Sequence, residues 1–140
     1  MTGLSFLDTN VLVYAYDLRE PEKRRIARHI LDAGFGGQLV VSSQVLAEFA
    51  ATMLHRASPP ASADAVMKAL DALAAIRLII PDGELVRRAV EARVAYGIHF
   101  YDGMIVAAAE RAGCQQILSE DLNAGQEYFG IPATNPFAKS

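Results

Sequence analysis

At 140 residues, with 52% apolar side chains and a formal charge of −3, the chain supports one domain with a substantial core and excludes both a disordered segment and a two-domain protein. Its one cysteine, Cys114, cannot form an internal disulfide, which removes the disulfide-stapled secreted class. No run approaches the roughly 20 apolar residues of a membrane span, and Met1-Thr2-Gly3-Leu4 lacks the basic-then-apolar signature of a signal peptide, so a cytoplasmic protein without membrane contact is expected.

The elements follow in chain order. Leu4–Leu7 is a short apolar run ending in Asp8 and reads as a buried strand. Asp8-Thr9-Asn10 offers cap chemistry for a short helix through Val11–Tyr16. Pro21 suits the first turn of the next helix, with Ile26, Ile30 and Leu31 inward and Gly34-Phe35-Gly36-Gly37 as its stop. Gln38–Val41 reads as a second strand. Ser42-Ser43 caps a helix running to about Ala57, with Val45, Leu46, Phe49, Ala50, Met53 and Leu54 as its core stripe. Pro59-Pro60 marks a turn, and Ser62–Ala75 is a helix with Val66, Leu70 and Leu73 inward.

Leu78–Ile80 is expected as a strand stopped by Pro81. Asp82-Gly83-Glu84 starts a helix in which Leu85, Val86, Ala89, Val90 and Val94 are expected to be buried, with Gly97 ending it. Tyr101–Ala112 is apolar almost all round and therefore reads as a buried helix closed by Gly113. Gln116–Leu118 is a strand, and Ile131–Thr134 is expected as a last strand at a sheet edge. Apolar strands alternating with helices predict an α/β protein: a parallel sheet sandwiched between helices. In such sheets the binding crevice lies at the carboxyl ends of the strands, where the strand order reverses.

That rule gives the acids their meaning. Asp8 and Asp121 each follow a strand; Asp102 lies in the first turn of the apolar helix, and Glu48 lies on the side of its helix away from Val45, Phe49 and Met53. Taken singly, each has a structural reading: a helix cap for Asp8, an Asx-turn for Asp121, a dipole partner for Asp102 and a solvated surface acid for Glu48. Jointly they fit one rim, where four carboxylates repel one another unless a cation lies among them. Hard oxygen ligands of this kind suit Mg²⁺ or Mn²⁺. Two such ions about 3.5–4 Å apart can activate a water and stabilise the leaving oxygen of a phosphodiester. The expected metal ligands and catalytic residues are therefore Asp8, Glu48, Asp102 and Asp121. Thr9, Asn10, Ser119 and Asn123 flank the strand-end acids and can orient carboxylates or metal-bound waters.

The sequence offers no other catalytic set: no Gly-rich phosphate loop with a Lys, no Cys–His zinc spacing and no Ser nucleophile elbow. A net charge of −3 does not favour nucleic-acid binding, but bound cations reverse the local sign. Arg19, Lys23, Arg24, Arg25 and Arg28 form one basic cluster and Arg87, Arg88 and Arg93 another, each a solvated face or a phosphate-contacting one. Arg24, Arg25 and Arg28 are the expected phosphate contacts. His55 suits the dipole of its helix, and His99 either borders the site or packs.

These segments resemble a family. Leu7-Asp8-Thr9-Asn10-Val11-Leu12-Val13-Tyr14 is similar to the opening motif of PIN-domain nucleases, and Tyr101-Asp102-Gly103-Met104-Ile105-Val106-Ala107-Ala108 to their third acidic motif. Glu48, in Ser43-Gln44-Val45-Leu46-Ala47-Glu48-Phe49, matches the second acidic position. Ser119-Glu120-Asp121-Leu122, with the later Asn135-Pro136-Phe137, resembles the closing segment of VapC-type toxins. Gly103 departs from the pattern, where a larger residue is commoner, and Ser119-x-Asp121 fits the spacing better than Glu120 does. The resemblance implies a three-layer α/β/α sandwich with a parallel five-stranded sheet. It also implies Mg²⁺- or Mn²⁺-dependent cleavage of RNA, a homodimer and inhibition by a cognate antitoxin protein.

Two other classes fit a small acidic α/β domain. A receiver-like phosphoacceptor domain needs a Lys after a late strand, where this chain has Ser119-Glu120-Asp121, and a catalytically silent protein-binding module needs no metal. A haloacid-type phosphatase needs a second Asp two residues after the first, a position filled here by Asn10.

Overall fold

The computed structural model describes residues 3–34 and 37–138. Six strands and six helices run in the order β1 (Ser5–Leu7), α1 (Thr9–Ala15), α2 (Pro21–Gly34), β2 (Leu39–Ser42), α3 (Ser43–His55), α4 (Ala63–Leu73), β3 (Arg77–Ile79), α5 (Gly83–Tyr96), α6 (Phe100–Arg111), β4 (Gln116–Leu118), β5 (Glu127–Tyr128) and β6 (Ile131–Thr134). The strands form one sheet in the order β3-β2-β1-β4-β6-β5. Five of them are parallel, and two-residue β5 adds an antiparallel margin against β6. The sheet thus has six strands, and Ile131–Thr134 is not its edge, because Glu127–Tyr128 pairs beyond it.

Strand order dictates the layers. From β1 to β3 the chain moves outward in one direction, and right-handed crossovers then place α1–α4 on one face. The return from β3 to β4 crosses to the far side of β1 and carries α5 and α6 over the opposite face, with α6 against β2 and β4 and α5 against α6. The three-layer α/β/α sandwich follows. Its reversal point lies between β1 and β4, the position at which open α/β sheets bind ligands.

The caps explain where the helices start. Ser42, Ser62 and Asp82 accept from the backbone N–H groups of Val45, Ala65 and Leu85, respectively. Gly97, at φ +68°, terminates α5 in the left-handed region. Phe35 and Gly36 of the expected Gly34–Gly37 stop lie outside the described residues.

Burial departs from expectation in α3, α5 and β3. In α3, Val45 and Phe49 are buried, whereas Leu46, Ala50, Met53 and Leu54 are half-buried. In α5, Leu85, Ala89 and Ala92 face the core, but Val86, Val90 and Val94 are exposed, Val94 by 81%. Helix α5 packs chiefly on α6, so the i, i+4, i+8 row Val86-Val90-Val94 faces outward. Strand β3 spans Arg77–Ile79, and as an edge strand it leaves Leu78 exposed; Ile80, just beyond it, is exposed too.

Helix α6 is buried from Gly103 to Ala109, as its all-round apolar sequence predicts. Gly103 has a packing reason. A Cβ there would sit 2.4 Å from the Ala89 carbonyl oxygen, so a larger residue would push α5 away from α6.

Candidate active site

The backbone delivers the acids to one edge. Asp8 leaves β1 and caps α1, and its N–H donates to the Leu118 carbonyl at 3.0 Å, which ties the ends of β1 and β4 together. Asp121 follows β4 in the adjacent loop. Helix α3 begins at the end of β2 and carries Glu48, and α6 carries Asp102 in its first turn behind the His99 cap. All four therefore project from the carboxyl-end edge near the β1/β4 reversal.

Asp8 is the buried member, only 5% exposed. Its Oδ1 accepts from the Thr9 N–H at 2.7 Å and its Oδ2 from the Ser119 hydroxyl at 2.7 Å. Ser119 Oγ in turn accepts from the N–H groups of Asp121 and Leu122 at 3.0 and 3.3 Å, so one buried hydroxyl links two of the acids. Burial pushes the Asp8 carboxyl up to about 6, with added repulsion from Asp121 and Asp102 and against the two hydrogen bonds. Asp102 is half-buried and also raised, first by burial, then by Asp121 and Glu48, with His99 opposing. Asp8 and Asp102 are thus each raised in part by the charge of neighbouring acids of the set.

The flanking residues divide into two groups. Asn10 donates from Nδ2 to Asp121 Oδ2 at 3.2 Å and accepts the Glu120 N–H at 3.2 Å, fixing the loop that carries Asp121. Thr9 Oγ1 reaches Glu48 Oε1 at 3.5 Å, and Gln44 Nε2 donates to the same oxygen at 2.9 Å. Asn123 stands apart: its amide donates to Gln126, and its N–H to the Tyr128 hydroxyl, so it shapes the loop rather than the acids.

Glu120 turns away from the cluster. Its carboxylate accepts from the Tyr14 hydroxyl and from Lys23 Nζ, both at 2.7 Å, and Lys23 also lies 4.6 Å from the centre of the Tyr14 ring. Burial alone would raise the Glu120 carboxyl, but Lys23 and Tyr14 outweigh it and hold it low. Sequence reasoning named Tyr14 and Lys23 only within a motif and a basic cluster. No local signal joins them to Glu120, because Lys23 lies 97 positions away.

The expected RNA-contacting arginines stand on α2, and none lines the cleft that holds Glu48 and Asp121. Arg25 is exposed and paired with Glu22. Arg28 donates to the Ala15 carbonyl and stacks on the Tyr16 ring at 4.7 Å, while the Arg24 Nε is buried without a hydrogen-bond partner among the described residues. The cleft is lined instead by Arg56, at the end of α3, which sequence reasoning did not single out. Its i, i+4, i+8 spacing with Glu48 and Thr52 was the available signal.

The donor set fits a hard divalent cation. Among the described residues, none of the four acids is paired with a Lys or Arg, although they lie at the end of a well-packed sheet. As the side chains stand, no three His, Cys, Asp or Glu among the described residues form a group that could hold a metal ion.

Solved structures share this arrangement of elements. A toxin–antitoxin complex from Klebsiella pneumoniae superposes with a TM-score of 0.67 at 21% identity, covering 95% of this chain and 98% of that one. VapC20 from Mycobacterium tuberculosis, described as a sarcin–ricin-loop-cleaving toxin, gives 0.66 at 18% identity, covering 84% and 89%. FitAcB from Neisseria gonorrhoeae gives 0.67 at 18%, covering 96% and 99%. These likenesses show the fold. No curated protein sequence matches the chain. The PIN domain profile matches residues 5–126, from the start of β1 to the loop after β4, and so takes in all four acids. With most of its length matched, the chain belongs to the PIN domain family.

Proposed function

We propose that this protein is a Mg²⁺- or Mn²⁺-dependent endoribonuclease and the toxin of a toxin–antitoxin pair. The observation that carries the reading is that Asp8, Glu48, Asp102 and Asp121 lie around the β1/β4 reversal and that, among the described residues, none of them is paired with a Lys or Arg. In that role the four acids would hold the metal, which when bound would supply Lewis-acid polarisation of the phosphodiester and activation of an attacking water.

The chain's own groups position the acids. The Thr9 N–H and the Ser119 hydroxyl hold the Asp8 carboxylate from opposite oxygens. Asn10 holds Asp121, and Gln44 holds Glu48. Thr9, Asn10 and Ser119 are thus orienting groups, and the Lys23–Tyr14 pair keeps Glu120 out of the acid set, leaving Asp121 as the fourth ligand. The lysine beside the site is engaged by Glu120 rather than by Asp8 or Asp102, so no observation favours a phosphoacceptor domain.

Solved relatives described as toxin–antitoxin complexes support a protein antitoxin as partner. Self-association as a homodimer also belongs to this reading, and the outward row Val86-Val90-Val94 is its candidate surface. Phosphate charge on α2 falls to Arg25 first, since Arg24 and Arg28 are partly withdrawn from solvent.

Incubation of the purified protein with single-stranded RNA in Mn²⁺, in EDTA, and as the Asp102→Asn variant tests the proposal. Cleavage confined to the parent protein in Mn²⁺ supports it; equal cleavage in excess chelator refutes it.

A further inference from the structure

The acid cleft does not end at Arg56. Val13, Thr52 and Arg56 line both the cleft and a second groove of about 370 Å³, so the two form one continuous depression. Beyond this shared wall the groove is largely apolar, bounded by Tyr16, Leu18, Met53 and the Pro59-Pro60 corner. Leu18 is 77% exposed, although it lies beside a buried core. The charged pair at the far side, Asp17 with Arg19, is internally neutralised at 3.2 Å.

Arg56 is the one basic side chain lining the acid cleft, and it has no ion pair or side-chain hydrogen bond among the described residues. It sits eight residues beyond Glu48, about 12 Å along the α3 axis at 1.5 Å per residue. An anion drawn to that guanidinium would therefore stand away from the acids, along the groove. The Tyr16 ring, backed by the Arg28 guanidinium at 4.7 Å and set against Phe49, presents a fixed aromatic surface in the same groove. A phosphate-binding cation followed by an aromatic and prolyl wall is the pairing by which proteins hold single-stranded nucleic acid.

We propose that this groove is a flanking-nucleotide subsite for single-stranded RNA: Arg56 takes a phosphate next to the scissile one, and the Tyr16–Leu18–Pro60 wall takes the unstacked base attached to it. The subsite rests on the nuclease reading, and it favours RNA over a polypeptide because the groove is continuous with the acids and its only unpaired charge among the described residues is positive.

Binding and cleavage are measured separately, so that failure of the subsite is distinguishable from failure of the nuclease reading. Fluorescence anisotropy with a labelled single-stranded oligoribonucleotide in Mn²⁺, using the Asp102→Asn background to prevent cutting, reads binding at several salt concentrations. Arg56→Gln should weaken binding roughly tenfold and flatten the salt slope by about 0.7, while Arg56→Lys keeps most of that slope. Replacing nucleotides one at a time by abasic residues should reveal one position, next to the cleavage point, where loss of the base also costs roughly tenfold. In the otherwise unmodified enzyme, Arg56→Gln should raise KM with kcat nearly unchanged. Unaltered binding and salt slope in Arg56→Gln, or no base-sensitive position, overturns the subsite even if metal-dependent cleavage persists. Leu18→Asp, on an exposed side chain, is the second variant: intact RNA binding there overturns the proposal and reassigns the groove to a protein segment. Absence of any cleavage by the parent in Mn²⁺, with binding still lost in Arg56→Gln, refutes the nuclease reading and with it the flanking-nucleotide assignment, leaving Arg56 as an RNA contact only.

Discussion

Replacing Asp8 by Asn should make the metal-free protein more stable at neutral pH and less stable in acid. The Asp8 carboxyl is raised from 3.8 to about 6, chiefly because burial disfavours its charge. An acid raised in the folded state holds its proton more tightly there than in the unfolded chain. Its contribution to stability is complete below about pH 3.8 and is lost as pH rises to about 6. The gap of about 2 pH units corresponds to roughly 3 kcal/mol of destabilisation at pH 7. Asn removes that charge penalty and still accepts from the Thr9 N–H. Its amide N–H₂, however, faces a Ser119 hydroxyl that already accepts from Asp121 and Leu122. The mismatch should cost about 1–2 kcal/mol. The expected balance at pH 7 is therefore a gain of about 1–2 kcal/mol, or about 0.5–1 M in the urea midpoint for a slope near 2 kcal/mol per M. Below about pH 4 only the mismatch remains, so the variant should unfold at lower urea than the parent. Urea titrations of both metal-free proteins from pH 4 to 8 check this, together with RNA cleavage at pH 7, which should drop by orders of magnitude. A variant destabilised by the same amount at every pH would mean that Asp8 acts as a helix cap without a charge penalty, and the reasoning would fail.

Four further outcomes follow from the same geometry. Asp121→Asn should abolish cleavage. Glu120→Gln should retain it while losing about 1 kcal/mol as the Lys23 and Tyr14 hydrogen bonds weaken, and equal loss of cleavage in both variants would put Glu120 among the ligands. Mn²⁺ should raise the thermal midpoint of the parent by mass action and that of Asp102→Asn much less, as read by differential scanning calorimetry. Light scattering should show a dimer that becomes a monomer when Val90 and Val94 are both changed to Lys, with unaltered circular dichroism; an unchanged mass would place any self-association elsewhere. Arg25→Gln should lower the salt dependence of RNA binding by about 0.7 in slope, and no change would make α2 a solvated face.

Much of this protein is legible in its sequence because local chemistry decides it. Asp8 ends an apolar run and starts a helix, Gly97 stops α5, and α6 is apolar on every side; a strand end, a helix stop and a buried helix each follow from residues within a few positions. The acids could be nominated in the same way, since each lies at a strand end or near a helix start, where a parallel sheet opens its crevice. Tertiary structure decided what depends on distant partners. Periodicity shows that α5 has apolar faces but not which neighbour covers them, and with α6 as its main contact the Val86-Val90-Val94 row is left outside. Gly103 looks like a gap in a motif until the Ala89 carbonyl is seen against it. The spacing already favours Asp121 over Glu120, but only the fold shows that Glu120 bonds to Lys23 and Tyr14, brought in by a different layer. Arg56 acquires meaning only because α3 carries it from the acid cleft to the apolar groove. Propensity and pattern act over one or two turns of chain, whereas charge pairing, burial and close approach act through space, and the sheet is what brings those distances together.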